Sequence, residues 1–176
     1  KDHRSGEVDV VGGKAANLHE LAAIPGIKVA NGFSVTTKVF SDYLSSLSIQ
    51  NLFHKLDELS SEWRAAPASS QERIRVENEL QRLSEEIRAQ ISRGDLSIEQ
   101  RAIIIQLYKK LGSGEDIRVA VRSSATAEDL PDTSFAGQYS TYLNQQGEDQ
   151  VIEAIKKVWA STYSFNAINY RNQNGI

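Results

Sequence analysis

The 176-residue chain contains no cysteine and no methionine. The first absence excludes disulfides, thiolate metal sites and a cysteine nucleophile. The second means that Lys1 is not an initiator residue, so a piece of a longer chain is expected. An excess of basic charge is also missing. Twenty Lys and Arg stand against 23 Asp and Glu, a formal net charge of -3. Such a balance gives no electrostatic footprint for nucleic acid, so any basic residue with a task must act locally. No apolar run approaches the roughly 20 residues of a membrane span, and no secretory leader is visible. With no cysteine, these absences fit a cytoplasmic protein without membrane partners. The three histidines, His3, His19 and His54, have no acidic or histidine neighbour at metal-ligand spacing. No metal site is therefore assigned within the chain, and no Ser–His–Asp set is arguable. What remains is 40% hydrophobic, enough at this length for one core.

The chain divides into three stretches: residues 1–37, 38–114 and 115–176. The first is rich in glycine and turn signals. Leu18, Leu21 and Ala22 have helical spacing after Gly12-Gly13, and Pro25-Gly26 ends that helix. Alternation between Ile27 and Val35 predicts a short strand. The second stretch reads as helical. Thr36 and Thr37 are cap candidates before Val39, Phe40, Tyr43, Leu44 and Leu47, which keep a helical period. A break at residues 65–70 precedes an amphipathic run from Glu72 to Ile91, with Ile74, Leu80, Leu83 and Ile87 on or near one face. Gly94 stops it. Ser97 with Gln100 predicts a capping box on a further helix reaching Leu111, before Gly112-Ser113-Gly114. This stretch reads as a helical insertion whose charges form a solvated face. The third changes texture. Ile117, Val119 and Val121 alternate as in a strand, a polar loop follows from Ser123 to Phe135, and Gln138 to Leu143 predicts a second strand. Gly147-Glu148-Asp149 then opens a long helix carrying Val151, Ile152, Ile155, Val158 and Trp159, its acids suited to the helix dipole.

Three constellations could carry chemistry. In Val11-Gly12-Gly13-Lys14, two glycines precede a lysine at a helix start. Glycine lets backbone approach a ligand, a helix N-terminus offers unpaired N–H groups to an anion, and Lys14 adds a point charge. The pattern is not that of a Walker A loop. A tight turn entering a helix, with Lys14 in solvent, explains the octet equally simply. In Val119-Ala120-Val121-Arg122-Ser123-Ser124, an arginine ends an apolar strand, and its rigid fork of donors matches phosphate oxygens. Ser123, Ser124 and Thr126 add hydroxyls and turn-forming side chains. Pairing of Arg122 with Glu128 or Asp129 is the plain alternative. Gly137 and Thr141, finally, stand where a strand begins and could border one ligand, or form an ordinary hairpin.

Together, VGGKAANL at 11–18, GFSVTT at 32–37, VAVRSSATAEDLPDTSFAGQYSTYLN at 119–144, WAS at 159–161 and AINYRNQNG at 167–175 resemble the N-terminal domain of the phosphoenolpyruvate synthase and pyruvate phosphate dikinase family. Rifampin phosphotransferase and the glucan water dikinases belong to the same broad group. The resemblance covers the first and third stretches, while the helical middle matches in position and character only. It implies an α+β fold, the incomplete first lobe of an ATP-grasp domain with a helical insertion. It implies ATP as substrate, with Lys14 and Arg122 on its phosphates, Arg122 as the catalytic cation, and Gly137 and Thr141 bordering the nucleotide. It further implies Mg2+ held by acids beyond this segment, and partner domains carrying a phosphorylated histidine and an acceptor such as pyruvate. A rifampin-type antibiotic phosphotransferase or a non-catalytic nucleotide-binding module are the alternatives. Asn31 stands before Gly32 where the family usually has proline, which alters a turn and not the chemistry. No histidine here matches the phosphorylated one, so the segment alone is expected to be inactive and to bind ATP weakly.

Overall fold

The computed structural model describes residues 8–126 and 139–175. Within them the chain is helix-dominated with one small sheet, an α+β arrangement. A one-turn helix α1 (Val8–Val11) leads into α2 (Gly13–Ala23), which ends at Ile24 ahead of Pro25-Gly26. The strand expected between Ile27 and Val35 does not form; residues 27–36 are irregular. A strand needs a partner for its backbone groups, and the two strands among the described residues pair with each other. Phe33 and Val35 reach the core from irregular chain instead.

The helical middle is built as its periodicity implies. Helix α3 (Thr37–Ser46) has Thr36 at its N-cap, although that side chain makes no capping bond. Thr37 Oγ1 donates instead to the Asp9 carbonyl at 3.0 Å, tying α3 to α1. Helix α4 (Gln50–Ala65) stops at the Pro67 break, and α5 (Gln71–Arg93) begins where Ser70 Oγ accepts from Arg73 N at 3.1 Å. Val76, Leu80, Leu83, Ile87 and Ile91 form the buried stripe of α5. Ile74 is a correction: it is 47% exposed. Two residues before Val76, it points about 160° away from that residue round the helix. Helix α6 (Ile98–Leu111) carries the full capping box, with Ser97 Oγ accepting from Gln100 N at 3.1 Å and Ser97 N donating to Gln100 Oε1 at 3.2 Å.

Strands β1 (Val119–Arg122) and β2 (Thr141–Gln145) pair antiparallel, with Arg122 opposite Thr141 and Val121 opposite Tyr142. The register slips between Val119 and Val121. Helix α7 (Glu148–Ser161) starts at Gly147, whose φ of 86° suits glycine. Helix α8 (Phe165–Asn174) is capped by Ser164 and ends at Gly175 in the left-handed region.

Helix α7 is the centre. It packs on α5 on one side and on both strands on the other, so Val151, Ile152, Ala154, Ile155, Val158, Trp159 and Ala160 are all buried. Trp159 stacks on Phe40 and meets Tyr43, each at 5.1 Å between ring centres. Even Lys156 is buried; its Nζ donates to the Gly94 carbonyl at 3.1 Å and pairs with Glu153 at 2.7 Å. One apolar cluster runs through α3 to α8, so residues 38–114 share their core with the strands and α7. The sheet thereby rests on the shared core. No helix among the described residues is long and apolar enough to cross a membrane.

Candidate functional site

Two sequence motifs separated by most of the chain meet at the start of α2. Gly12 holds the N-cap position with φ 80° and has no side chain to cap the helix. The loop leaving β1 closes over it. Ser124 Oγ accepts a hydrogen bond from Ala15 N at 3.0 Å, across 109 residues of sequence. The Ala125 carbonyl accepts from Gly13 N at 3.1 Å. A Cβ on Gly12 would fall onto the Ser124 carbonyl and within 2.6 Å of its Oγ. Gly12 therefore serves two needs at once, a positive φ and room for another backbone.

This contact narrows one expectation. Four amides at the start of α2 are already engaged within the protein. Gly12 N donates to the Val8 carbonyl at 2.7 Å, Ala16 N to that of Gly12 at 3.1 Å, and Gly13 and Ala15 to the loop. What the turn presents is its side chain, the half-buried Lys14.

Arg122 stands two residues before Ser124. Two residues of chain span at most about 7 Å, so its Cα is near the loop that touches the turn of Lys14. The pleat turns Val121 and Tyr142 toward α7 and leaves Arg122 and Thr141 exposed, side by side in the antiparallel register. Among the described residues no ion pair engages the Arg122 guanidinium. The structure thus brings Lys14 to the loop of Arg122, and Thr141 beside Arg122. Gly137, Glu128, Asp129 and His3 lie outside the described residues, so neither the nucleotide-bordering glycine nor the Arg122 pairing alternative is placed. His19 and His54 are exposed on α2 and α4. A groove of about 260 Å³ between α5, α7 and Tyr142 opens on the opposite face of β2 and includes none of these candidates.

Ser124 carries more than its residue type announced. As a turn-forming hydroxyl it was one of three in the loop; its partner, a backbone N–H far away in sequence, leaves no local signature.

The chain matches a protein-family model described as "Pyruvate phosphate dikinase, AMP/ATP-binding domain" over residues 8–176. It is 40% identical over 175 residues to a probable phosphoenolpyruvate synthase of Archaeoglobus fulgidus, covering 97% of this chain and 21% of that protein. It is 41% identical over 170 residues to a rifampicin phosphotransferase of Streptomyces sviceus, covering 97% of this chain and 18% of the relative. To the phosphoenolpyruvate synthase of Escherichia coli it is 37% identical over 174 residues, or 96% of this chain and 20% of that one. The chain spans about a fifth of the length of these relatives.

Proposed function

Because the chain belongs to the pyruvate phosphate dikinase AMP/ATP-binding domain family, we propose that it is the segment of a dikinase-type phosphotransferase that receives the phosphates of ATP. Lys14 and Arg122 hold those phosphates, Arg122 as the catalytic cation, while Gly137 and Thr141 border the nucleotide. The lobe is the first half of an ATP-grasp domain, with residues 38–114 as its helical insertion. The phosphoryl group passes from ATP to a histidine on another domain of the parent chain, and from there to an acceptor such as pyruvate. Alone, the segment would lack that histidine and transfer nothing.

Phosphoryl transfer asks the protein for positioned positive charge more than for covalent help. A lysine supplies a compact charge and an arginine a planar fork of donors, so the two share the work without duplicating it. Mg2+ is the usual companion of ATP, but among the described residues no group of three or more His, Asp or Glu converges on a cation position. In this reading Mg2+ accompanies ATP with its ligands outside this segment, and Lys14 and Arg122 are the phosphate-binding charges within it.

The observation that carries the reading is the docking of Ser124 and Ala125 on the turn of Lys14, which joins the two basic motifs in one place. The test is ATP binding and turnover by the full-length parent and its Lys14→Ala and Arg122→Ala variants. Loss of one hydrogen-bonded charge at a transferring phosphate costs about 2–4 kcal/mol, so turnover should fall roughly 30- to 1,000-fold in Arg122→Ala. Wild-type binding and turnover in both variants would refute the assignment.

A further inference from the structure

We propose that Ser124 is a positioning residue: it supplies from a distance the cap that Gly12 lacks, and so sets where Lys14 stands relative to Arg122. The inference rests on the proposed phosphate roles of those two residues, and its observations are independent of them.

Helix α2 has little else to hold it. Gly13 and Ala16 are its buried residues, whereas Leu18 and Leu21 are 48% and 42% exposed and Ile24, just past its end, 48%. Its packing is chiefly on one-turn α1, which α3 in turn supports. A helix so shallowly anchored needs its ends fixed. The usual device is a Ser, Thr, Asp or Asn at the N-cap, accepting from an N–H of the first turn. Glycine at that position cannot do this, and Gly12 makes no side-chain cap bond. Ser124 Oγ makes it instead, on Ala15 N, while the adjacent Ala125 carbonyl takes Gly13 N. The capping group belongs to the loop that leaves Arg122. Fixing α2 therefore also fixes Lys14 against the strand end of β1, which packs on α7.

A second consequence follows for the ligand. With the Gly12, Gly13, Ala15 and Ala16 amides donating inside the protein, those four are not offered to the phosphates, and the Lys14 side chain is the group this turn contributes. The amide of Ala15 is spent on placing the lysine next to it.

The test uses the full-length parent with Ser124→Ala, Ser124→Thr and Ser124→Cys, scored by ATP dissociation constant, kcat and Tm. Ser124→Ala should weaken ATP binding about 3- to 30-fold, the range expected for losing a capping hydrogen bond. Ser124→Thr keeps the hydroxyl and should restore affinity. Ser124→Cys fills the same space with a weak acceptor, so it should fold where the alanine variant fails and still bind weakly. Combined with Lys14→Ala, Ser124→Ala should add little, because the group it positions is gone. A lowered Tm with wild-type ATP affinity, or additive losses in the double variant, would overturn the positioning role. If Lys14→Ala and Arg122→Ala also bind ATP as wild type, the phosphate assignment itself fails; if they lose binding and Ser124→Ala and Ser124→Cys do not, this inference fails alone.

Discussion

Among single residues, the two glycines at close approaches show different physics. Gly12 combines a φ of 80° with a Cβ position already filled by Ser124. Gly94 has an ordinary φ of −59°, and there only space decides: a Cβ would sit 2.6 Å from the Tyr43 hydroxyl oxygen and 2.5 Å from a Leu47 methyl. Tyr43 is the hinge of that second cluster. It is fully buried and donates to the Ile91 carbonyl at 2.6 Å. Burial, helped by the negative charges of Asp95 and Glu153, pushes its pKa up to about 12 from 10.0. Burial raises Tyr163 as well, against the opposing charge of Arg171. The sign follows from linkage. The unfolded chain releases the tyrosine proton near its ordinary pKa while the folded chain keeps it, so the stabilisation is complete below pH 10 and disappears as pH climbs toward 12. Urea midpoints measured from pH 8 to 11.5 should fall steeply above pH 10. The Tyr43→Phe variant should start lower at pH 8, by about 1 kcal/mol for the lost hydrogen bond. Its slope above pH 10 should be shallower; an unchanged slope would remove Tyr43 as the source.

Within the elements, the helices divide by what their periodicity faces. Helix α5 has a stripe on which Leu80 and Ile87 have no exposed surface, while Ile74 and the charges point to water. Its charges pair along the surface, Arg75 with Glu79 at 2.6 Å and with Glu62 of α4 at 2.8 Å, which is the solvated face that the sequence pattern implied. Exposed pairs of this kind contribute little, ~0–1 kcal/mol each. The apolar stripe carries the stability. Leu80→Ala should cost about 2–5 kcal/mol through lost burial and a residual cavity, whereas Ile74→Ser should change stability by about 0.5 kcal/mol or less. Equal effects in a denaturant titration would contradict the face assigned to each. The start of α6 was legible because Ser97 Oγ accepts from Gln100 N within its own first turn, and the start of α7 because Gly147 stands directly before its acidic first turn. The strand at Ile27–Val35 was not, because alternation signals a half-buried extended chain and is silent about whether a partner strand exists. Ile74 was misplaced against its own period: two residues before Val76, it lies on nearly the opposite side of the helix.

Across the whole molecule, stability is unevenly distributed. Helices α5 and α7 form the centre of one continuous apolar cluster, and the sheet rests on α7. Helix α2 lies at the margin, held at its start by the loop of Ser124 and Ala125. Amide exchange tracks local opening, so the C-terminal half of α2 should exchange orders of magnitude faster than the Leu80–Ile91 segment of α5. Comparable protection in both would mean that α2 is anchored by contacts beyond those described. Saturating ATP should slow exchange at the start of α2 in the parent protein if Lys14 is loaded there, since a ligand that binds the closed form opposes its opening.

The sequence by itself determined most of the longer helices, the Ser97 capping box, the strand that ends on Arg122 and the chemical character of the candidate residues. Each of these depends on neighbours within a turn or two, so the information is local. It also carried the family membership, because several short motifs in fixed order are specific jointly. Tertiary structure decided which apolar residues face the core, whether an alternating stretch finds a partner, and above all that Ser124 caps a helix by accepting from an amide 109 residues earlier. A hydrogen bond between a loop hydroxyl and a distant amide leaves no pattern in either segment. It exists only after the core has placed α7, the sheet and the start of α2 within reach of one another.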